Sequence, residues 1–255
     1  MICELSGLRE FGSVIHMCLS ILGRQQEKGL SMRTFGVFCK HPQPGAVKTR
    51  LAEGIGAQVA VQLSAAFLDD LALQFRSEGE RRVLGYSPAN SAAYFGSFQR
   101  IGFELWPQPD GDLGGRMAAF FAETLQDEAD RTVLIGSDSP TIPREYVTQA
   151  FDLLQDFDCV LGPAMDGGYY LIGLKQSAPE LFRGITWSGA SVLAQTVQRI
   201  SELGLSLALL PPWYDVDDLT DLNMLVGHIR AMTRSGQTHP CPVTAEVLSK
   251  LQLAD

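Results

Sequence analysis

The sequence predicts a three-layer α/β/α domain built on a mainly parallel sheet, and three observations carry that expectation. Short apolar runs rich in β-formers alternate along the chain with longer stretches of helical periodicity. Two of these runs end abruptly in acidic turns. One is Val133-Leu134-Ile135-Gly136-Ser137-Asp138-Ser139-Pro140; the other is the run 205–210, which leads into Pro211-Pro212-Trp213-Tyr214-Asp215-Val216-Asp217-Asp218. The first run of all opens into a basic loop containing Lys40, Gly45, Lys48 and Arg50. Open α/β sheets bind ligands beyond the carboxyl ends of their strands, so these three turns are the candidate functional segments.

The elements follow in order. Residues 34–40 read as a buried strand, and the loop 41–46, with two prolines and Gly45, closes it. Residues 47–51 open a helical turn, and 57–76 carry Val61, Ala65, Leu68, Leu71, Leu73 and Phe75 at helical spacing. A short strand at 82–86 is stopped by Ser87-Pro88, and another spans 103–106. Residues 113–127 form a helix with Asp112 as N-cap and Met117, Phe120, Phe121 and Leu125 on its apolar side. Strand 132–136 carries the first acidic end, and helix 143–154 starts at a proline, whose missing N–H costs nothing there. Residues 159–162 and 169–174 are strands, 190–203 a helix, 205–210 a strand and 219–234 a helix. The prolines at 240 and 242 break the chain before a short helix around 244–251. No repeat or linker interrupts this pattern. Residues 32–236 therefore read as one domain, 1–31 as an N-terminal extension without a catalytic role, and 237–255 as a C-terminal helical tail.

Composition narrows the function. With 255 residues, 45% hydrophobic and 19% charged, the chain can bury a full core and is not wholly disordered. A net charge of −9 argues against nucleic acid as a partner, while leaving room for a local phosphate pocket. The five cysteines, Cys3, Cys18, Cys39, Cys159 and Cys241, form no C-x-x-C pair. Cys39 and Cys159 lie in strand-like runs, so buried reduced thiols of a cytoplasmic protein are expected in place of a metal–thiolate site. The apolar run 11–22 is too short to span a bilayer, and it lacks a clean basic flank and an A-x-A site, so no stable membrane insertion is expected.

Three cations within eleven residues, Lys40, Lys48 and Arg50, stand where a strand turns into a helix. Backbone N–H groups and the positive end of a helix dipole meet phosphates at such turns, and Gly45 lets the backbone approach closely. The spacing is not that of a Walker A loop. A solvated basic loop is the plain alternative, but in a chain of net charge −9 a ligand accounts better for the cluster. Asp138 and Asp217, with Asp215, are either turn and cap residues or carboxylates converging on Mg²⁺ or Mn²⁺. Gly114 and Gly115 are poor helix formers in a first turn, to be justified by a flat group such as a nucleobase or by tight packing. Asp166-Gly167-Gly168 reads first as a hairpin turn. Trp187-Ser188 reads as pocket wall or cap. None of the histidines His16, His41, His228 and His239 stands in a nucleophile motif.

These strings together carry a resemblance. Phe38-Cys39-Lys40-His41-Pro42-Gln43-Pro44-Gly45-Ala46-Val47-Lys48-Thr49-Arg50-Leu51, Gly111-Asp112-Leu113-Gly114-Gly115-Arg116-Met117, Gly136-Ser137-Asp138-Ser139-Pro140, residues 162–173 and Asp215-Val216-Asp217 occur in order over roughly 190 residues. They resemble the nucleotide-diphospho-sugar transferase superfamily, with its Rossmann-like GT-A fold. More narrowly, they resemble small bacterial glycosyltransferase-like proteins, some associated with arsenosugar biosynthesis. The resemblance implies a metal-assisted transfer of a sugar from a nucleotide-sugar donor to a small-molecule acceptor. It implies that Asp138 belongs to the acidic metal motif, that Asp217 with Asp215 supplies further carboxylates, and that Asp166 touches substrate. It further implies donor binding by Lys40, Gly45, Lys48, Arg50, Gly114 and Gly115. Ser137-Asp138-Ser139 departs from the family pattern, having one carboxylate where many members have two. The same strings resemble guanylyltransferases that activate 2-phospholactate, so nucleotidyl transfer with release of pyrophosphate is the alternative reaction, and a non-catalytic nucleotide-binding protein is a third reading.

Overall fold

A computed structural model describes residues 32–128, 130–187 and 189–251; the expected extension 1–31, with Cys3, His16 and Cys18, lies outside the described residues, as does Ser188. Seven strands form one sheet: β1 (Arg33–Lys40), β2 (Arg81–Ser87), β3 (Glu104–Pro107), β4 (Arg131–Gly136), β5 (Cys159–Pro163), β6 (Tyr169–Leu174) and β7 (Leu207–Leu209), in the order β3-β2-β1-β4-β6-β5-β7. Only β6 runs antiparallel, against both β4 and β5. The described helices are α1 (Thr49–Ile55), α2 (Ala57–Gln74), α3 (Ala92–Gln99), α4 (Leu113–Thr124), α5 (Arg144–Leu153), α6 (Val192–Glu202), α7 (Leu219–Arg234) and α8 (Pro242–Lys250). The architecture is the three-layer, mainly parallel one that the alternating pattern predicts.

The strands are near-continuous apolar runs because both faces of the sheet are covered. Phe35, Val37 and Cys39 of β1 point to one face, where Leu68, Leu71 and Phe75, Phe95 and Phe98, and Val147 and Phe151 come from or beside α2, α3 and α5. Leu134 and Ile172 point to the other face, against Met117, Phe120 and Phe121 of α4 and Ile200 of α6. Helix α3 has no counterpart in the periodicity reading: its segment holds Gly96 and no side-chain cap, and burial of Phe95 and Phe98 in the core is what organises it. Strand β7 is shorter than the apolar run 205–210, and α4 ends before Leu125.

A third cluster joins α1, α2, α7 and α8 through Leu51, Leu63, Phe67, Leu222, Leu225 and Cys241. Asp70, 1% exposed on α2, accepts the backbone N–H groups of Val243 (2.9 Å) and Thr244 (2.7 Å). It thereby caps α8, whose own N-cap residue Cys241 supplies no side-chain bond. Cys39, Cys159 and Cys241 are free and buried. No described helix is long and apolar enough to cross a membrane.

Where β5 and β7 start, Asp158 accepts the Ser206 hydroxyl (2.6 Å) and backbone N–H (2.8 Å) and pairs with Lys175 (3.0 Å). The Ser206 hydroxyl and N–H, helped by Lys175 and opposed by burial, hold its carboxyl down at about 2. A depressed folded-state pKa adds stability above the unfolded value of about 3.9, and that stability disappears as pH falls through the folded value. Asp158→Asn is expected to lose on the order of 1–2 kcal/mol at pH 7 and to show a flatter stability profile between about pH 4 and 2. Urea melts across that range test this; a variant as stable as wild type at pH 7 would contradict it.

Candidate active site

The sheet order reverses between β1 and β4, and a cavity of about 650 Å³ opens beyond the carboxyl ends of these strands. Its wall brings together Lys40 at the end of β1 and Lys48 after it, Asp138 after β4, and Asp215 and Asp217 after β7. The two acidic segments are joined by a backbone bond, Val216 N–H to Asp138 C=O at 2.9 Å. The two Asp residues after Val216 divide the work. Asp218 caps α7, accepting from Thr220 and Asp221, while Asp217 turns to the cavity.

Lys48 is the centre of the charge arrangement. Its ammonium, on a side chain only 3% exposed, pairs with both Asp138 and Asp217, the latter at 3.0 Å. Arg50 adds a second contact to Asp217 at 2.9 Å. Burial opposes the Lys48 charge, but Asp138 and Asp217 outweigh it and hold the ammonium pKa above its usual value. Burial likewise opposes ionisation of Asp217, yet Lys48 and Arg50 keep its carboxyl below the usual range. Lys48 has φ 48°, the one positive value among described non-glycine residues, a conformation that costs roughly 1 kcal/mol or more. Placing the ammonium between two carboxylates offsets that cost.

Asp215 sits deeper. It accepts a hydrogen bond from the Ser139 hydroxyl, and burial pushes its carboxyl up to about 7, with the negative charges of Asp138, Asp166 and Asp217 adding to the rise against Ser139. A carboxyl buried first of all, and set among other negative charges, behaves in this way. All these donors are hard oxygens, which suits Mg²⁺ or Mn²⁺. Among the described residues no three of His, Cys, Asp and Glu gather into a ready coordination set, since Lys48 stands between Asp138 and Asp217. A cation there would complete its shell with phosphate oxygens, as Mg²⁺ commonly does.

Other predicted residues lie elsewhere. Arg50, 65% exposed, reaches the site through Asp217 and does not line the cavity. Gly45, with φ 79°, lines neither cavity, although its neighbour Ala46 lines both. Asp166 is in the β5–β6 hairpin, where it accepts the Gly168 N–H at 2.8 Å, off the wall but near enough to act on Asp215. Gly167, with φ 91°, is needed twice over, because a Cβ would lie 2.2 Å from the Ala190 carbonyl oxygen. The flat group beside Gly114 is the protein's own Trp187: a Cβ would meet the indole at 2.7 Å and the Phe182 carbonyl at 2.8 Å. Gly115 donates its N–H to Asp112 at 2.8 Å, and neither glycine lines the cavity. Trp187 itself is wall, with Tyr169 and Leu113 beside it.

Two further polar residues, Gln108 and Arg116, have no role assigned by the sequence motifs. Both line the main cavity and also a smaller one, about 240 Å³, beside the ends of β1 and β2. The local signal was slight: an arginine following two glycines in the first turns of α4.

The sequence matches, over residues 71–189, a family described as uncharacterized proteins conserved in bacteria (DUF2064). No curated protein matches it. A solved structure from Desulfovibrio desulfuricans G20, provisionally assigned as a nucleotide-diphospho-sugar transferase, is 35% identical. That match covers 87% of this chain and 95% of the other, with a TM-score of 0.77. The inositol-1-phosphate CTP transferase from T. maritima is 15% identical over 82% of this chain and 99% of its own, with a TM-score of 0.51. The 4-diphosphocytidyl-2C-methyl-D-erythritol synthase from Anaerococcus prevotii DSM 20548 is 8% identical over 78% and 99%, also with a TM-score of 0.51. The last two share the fold alone.

Proposed function

We propose, from the premise that this chain belongs to the nucleotide-diphospho-sugar transferase family, that it transfers a sugar from a nucleoside diphosphate sugar to a small acceptor. One observation carries the reading: a buried ammonium and a set of aspartates converge on a single cavity at the switch point of the sheet. Breaking a glycosyl–phosphate bond leaves negative charge on the departing diphosphate. Lys48 and Lys40 lie on the wall that such a diphosphate would face. A preorganised cation in a site shielded from water stabilises developing charge far better than the same cation in water. Asp138, Asp215 and Asp217 would hold Mg²⁺ or Mn²⁺, which supplies further neutralisation of the leaving group. Asp217 also fixes Lys48 and Arg50 in place, and Asp166 acts on Asp215 through charge. Trp187 and Tyr169 offer apolar surface on which a sugar or acceptor face can rest.

Nucleotidyl transfer is the second reading, favoured by the segment Lys48-Thr49-Arg50-Leu51 and its resemblance to nucleotide-gripping loops. Lys48 and Arg50 are engaged with Asp138 and Asp217 whichever donor binds, so their charge does not choose between the two reactions. The two reactions differ in what they release. The protein, with Mg²⁺ or Mn²⁺, is to be incubated with nucleotide sugars or nucleoside triphosphates and a bacterial metabolite extract. Nucleoside diphosphate formed from a sugar donor is the expected product. Pyrophosphate formed from a triphosphate would sink the glycosyl reading, and no product with any donor would sink both.

A further inference from the structure

We propose that Arg116, with Lys40, is the phosphate-binding pair of this protein, set at the junction of the two cavities so that one ligand lies across both. This rests on the reading of the site as one for a nucleotide donor. Four residues, Lys40, Ala46, Gln108 and Arg116, line both cavities, so the junction is defined by two cations and the amide that touches one of them. The other lysine and arginine on these walls or paired with them are committed, Lys48 to Asp138 and Asp217 and Arg50 to Asp217. Neither Arg116 nor Lys40 has an ion-pair partner among the described residues, although the chain carries a net charge of −9.

The guanidinium is under-used by the protein. Its Nη1 donates to the Gln108 carbonyl oxygen at 3.4 Å, a long bond, and its Nε is buried with no partner at all. A buried donor left unmade is a standing cost, which a tetrahedral oxyanion with several acceptors can remove. Gln108 is the positioning residue. It is 6% exposed, and its amide nitrogen is tied to the carbonyls of Gly85 (2.6 Å) and Cys39 (3.3 Å), which leaves its oxygen turned to Arg116. The smaller cavity has no lysine or arginine apart from this pair. The phosphate of the ligand therefore belongs at the junction, with one end of the molecule in each cavity.

The test is calorimetric titration of the protein with inorganic pyrophosphate and, separately, with UDP, CDP, ADP and GDP. Wild type is expected to bind pyrophosphate and at least one of the nucleotides. Arg116→Met should weaken both at least tenfold while moving the melting temperature little, because the side chain makes only one long bond to the protein. Lys40→Met should weaken pyrophosphate comparably. If Arg116→Met fails to fold, Arg116→Gln replaces it with the same expected loss. Either folded variant titrating like wild type overturns the proposal, as does a wild type that binds no pyrophosphate. The outcomes separate this inference from the reaction. Sugar transfer that persists with Arg116→Met binding unimpaired overturns the subsite only. An Arg116-dependent pyrophosphate site in a protein that turns over no donor overturns the reaction only.

Discussion

Asp138→Ala is expected to reduce turnover on the order of 10²–10³-fold or more while leaving the fold intact. The side chain is 47% exposed at the end of β4 and contributes nothing to the core, so the melting temperature should shift by no more than a few degrees. The loss is expected because Asp138 faces the cavity, pairs with Lys48 and offers an oxygen donor for a divalent cation. Asp138→Asn keeps the shape and removes the charge, and it should lose nearly as much. Steady-state release of nucleoside diphosphate, with thermal melts run on the same preparations, measures both effects. Full activity in Asp138→Ala would remove the central residue from the site.

Lys48→Met is expected to have the largest effect on stability. Removing one partner of a buried charge cluster commonly costs about 3–5 kcal/mol, and the partial exposure of Asp138 and Asp217 brings the figure here to about 2–3 kcal/mol. The pH dependence also changes. In the wild type the raised Lys48 pKa adds stability below its unfolded value near 10.4, lost as pH rises through the folded value; the lowered Asp217 pKa adds stability above about 3.9, lost as pH falls through its folded value. The Lys48–Asp217 pair therefore supports the fold from about pH 4 to 10, whereas the Asp215 carboxyl, pushed up to about 7, costs stability as pH rises from about 4 through that value. Without Lys48, Asp138, Asp215 and Asp217 repel one another, and stability should rise more steeply than in wild type as pH is lowered from 8 to 5 and those groups take up protons. Millimolar Mg²⁺ or Mn²⁺ should raise the melting temperature of Lys48→Met more than that of wild type, because the ammonium no longer competes for the carboxylates. Removing the metal with EDTA should reverse that gain. Melts that match wild type at every pH, with or without metal, would show that Lys48 does not neutralise this cluster.

Much of the molecule was legible in the chain. Buried parallel strands are near-continuous runs such as Val133-Leu134-Ile135, and they are easy to recognise because both faces are covered. The carboxylates at strand ends were legible for a related reason, since a polar turn after such a run must leave the sheet at its carboxyl edge. Helix α3 was not, because Ala92–Gln99 has neither a cap nor a strong apolar stripe and depends on Phe95 and Phe98 entering a core built by distant segments. Asp217 and Asp218 were ambiguous for the opposite reason. Each is a competent cap locally, and only the arrival of Lys48 decides which of them faces the site.

The chain by itself determined the order of the strands and of every described helix but α3, the acidic and basic turns, and the family, because these depend on periodicity and on residues near one another in sequence. Tertiary structure alone decided which charges cancel. Lys48 and Asp217 are 169 positions apart, Gln108 and Cys39 are 69 apart, and Gly114 meets Trp187 across a helix and a loop. Electrostatic pairing and packing fall off over a few ångströms in space and have no dependence on separation along the chain. For that reason Lys48 and Arg50, prominent in the sequence, are spent on Asp138 and Asp217, while Arg116, inconspicuous there, is left with donors to offer.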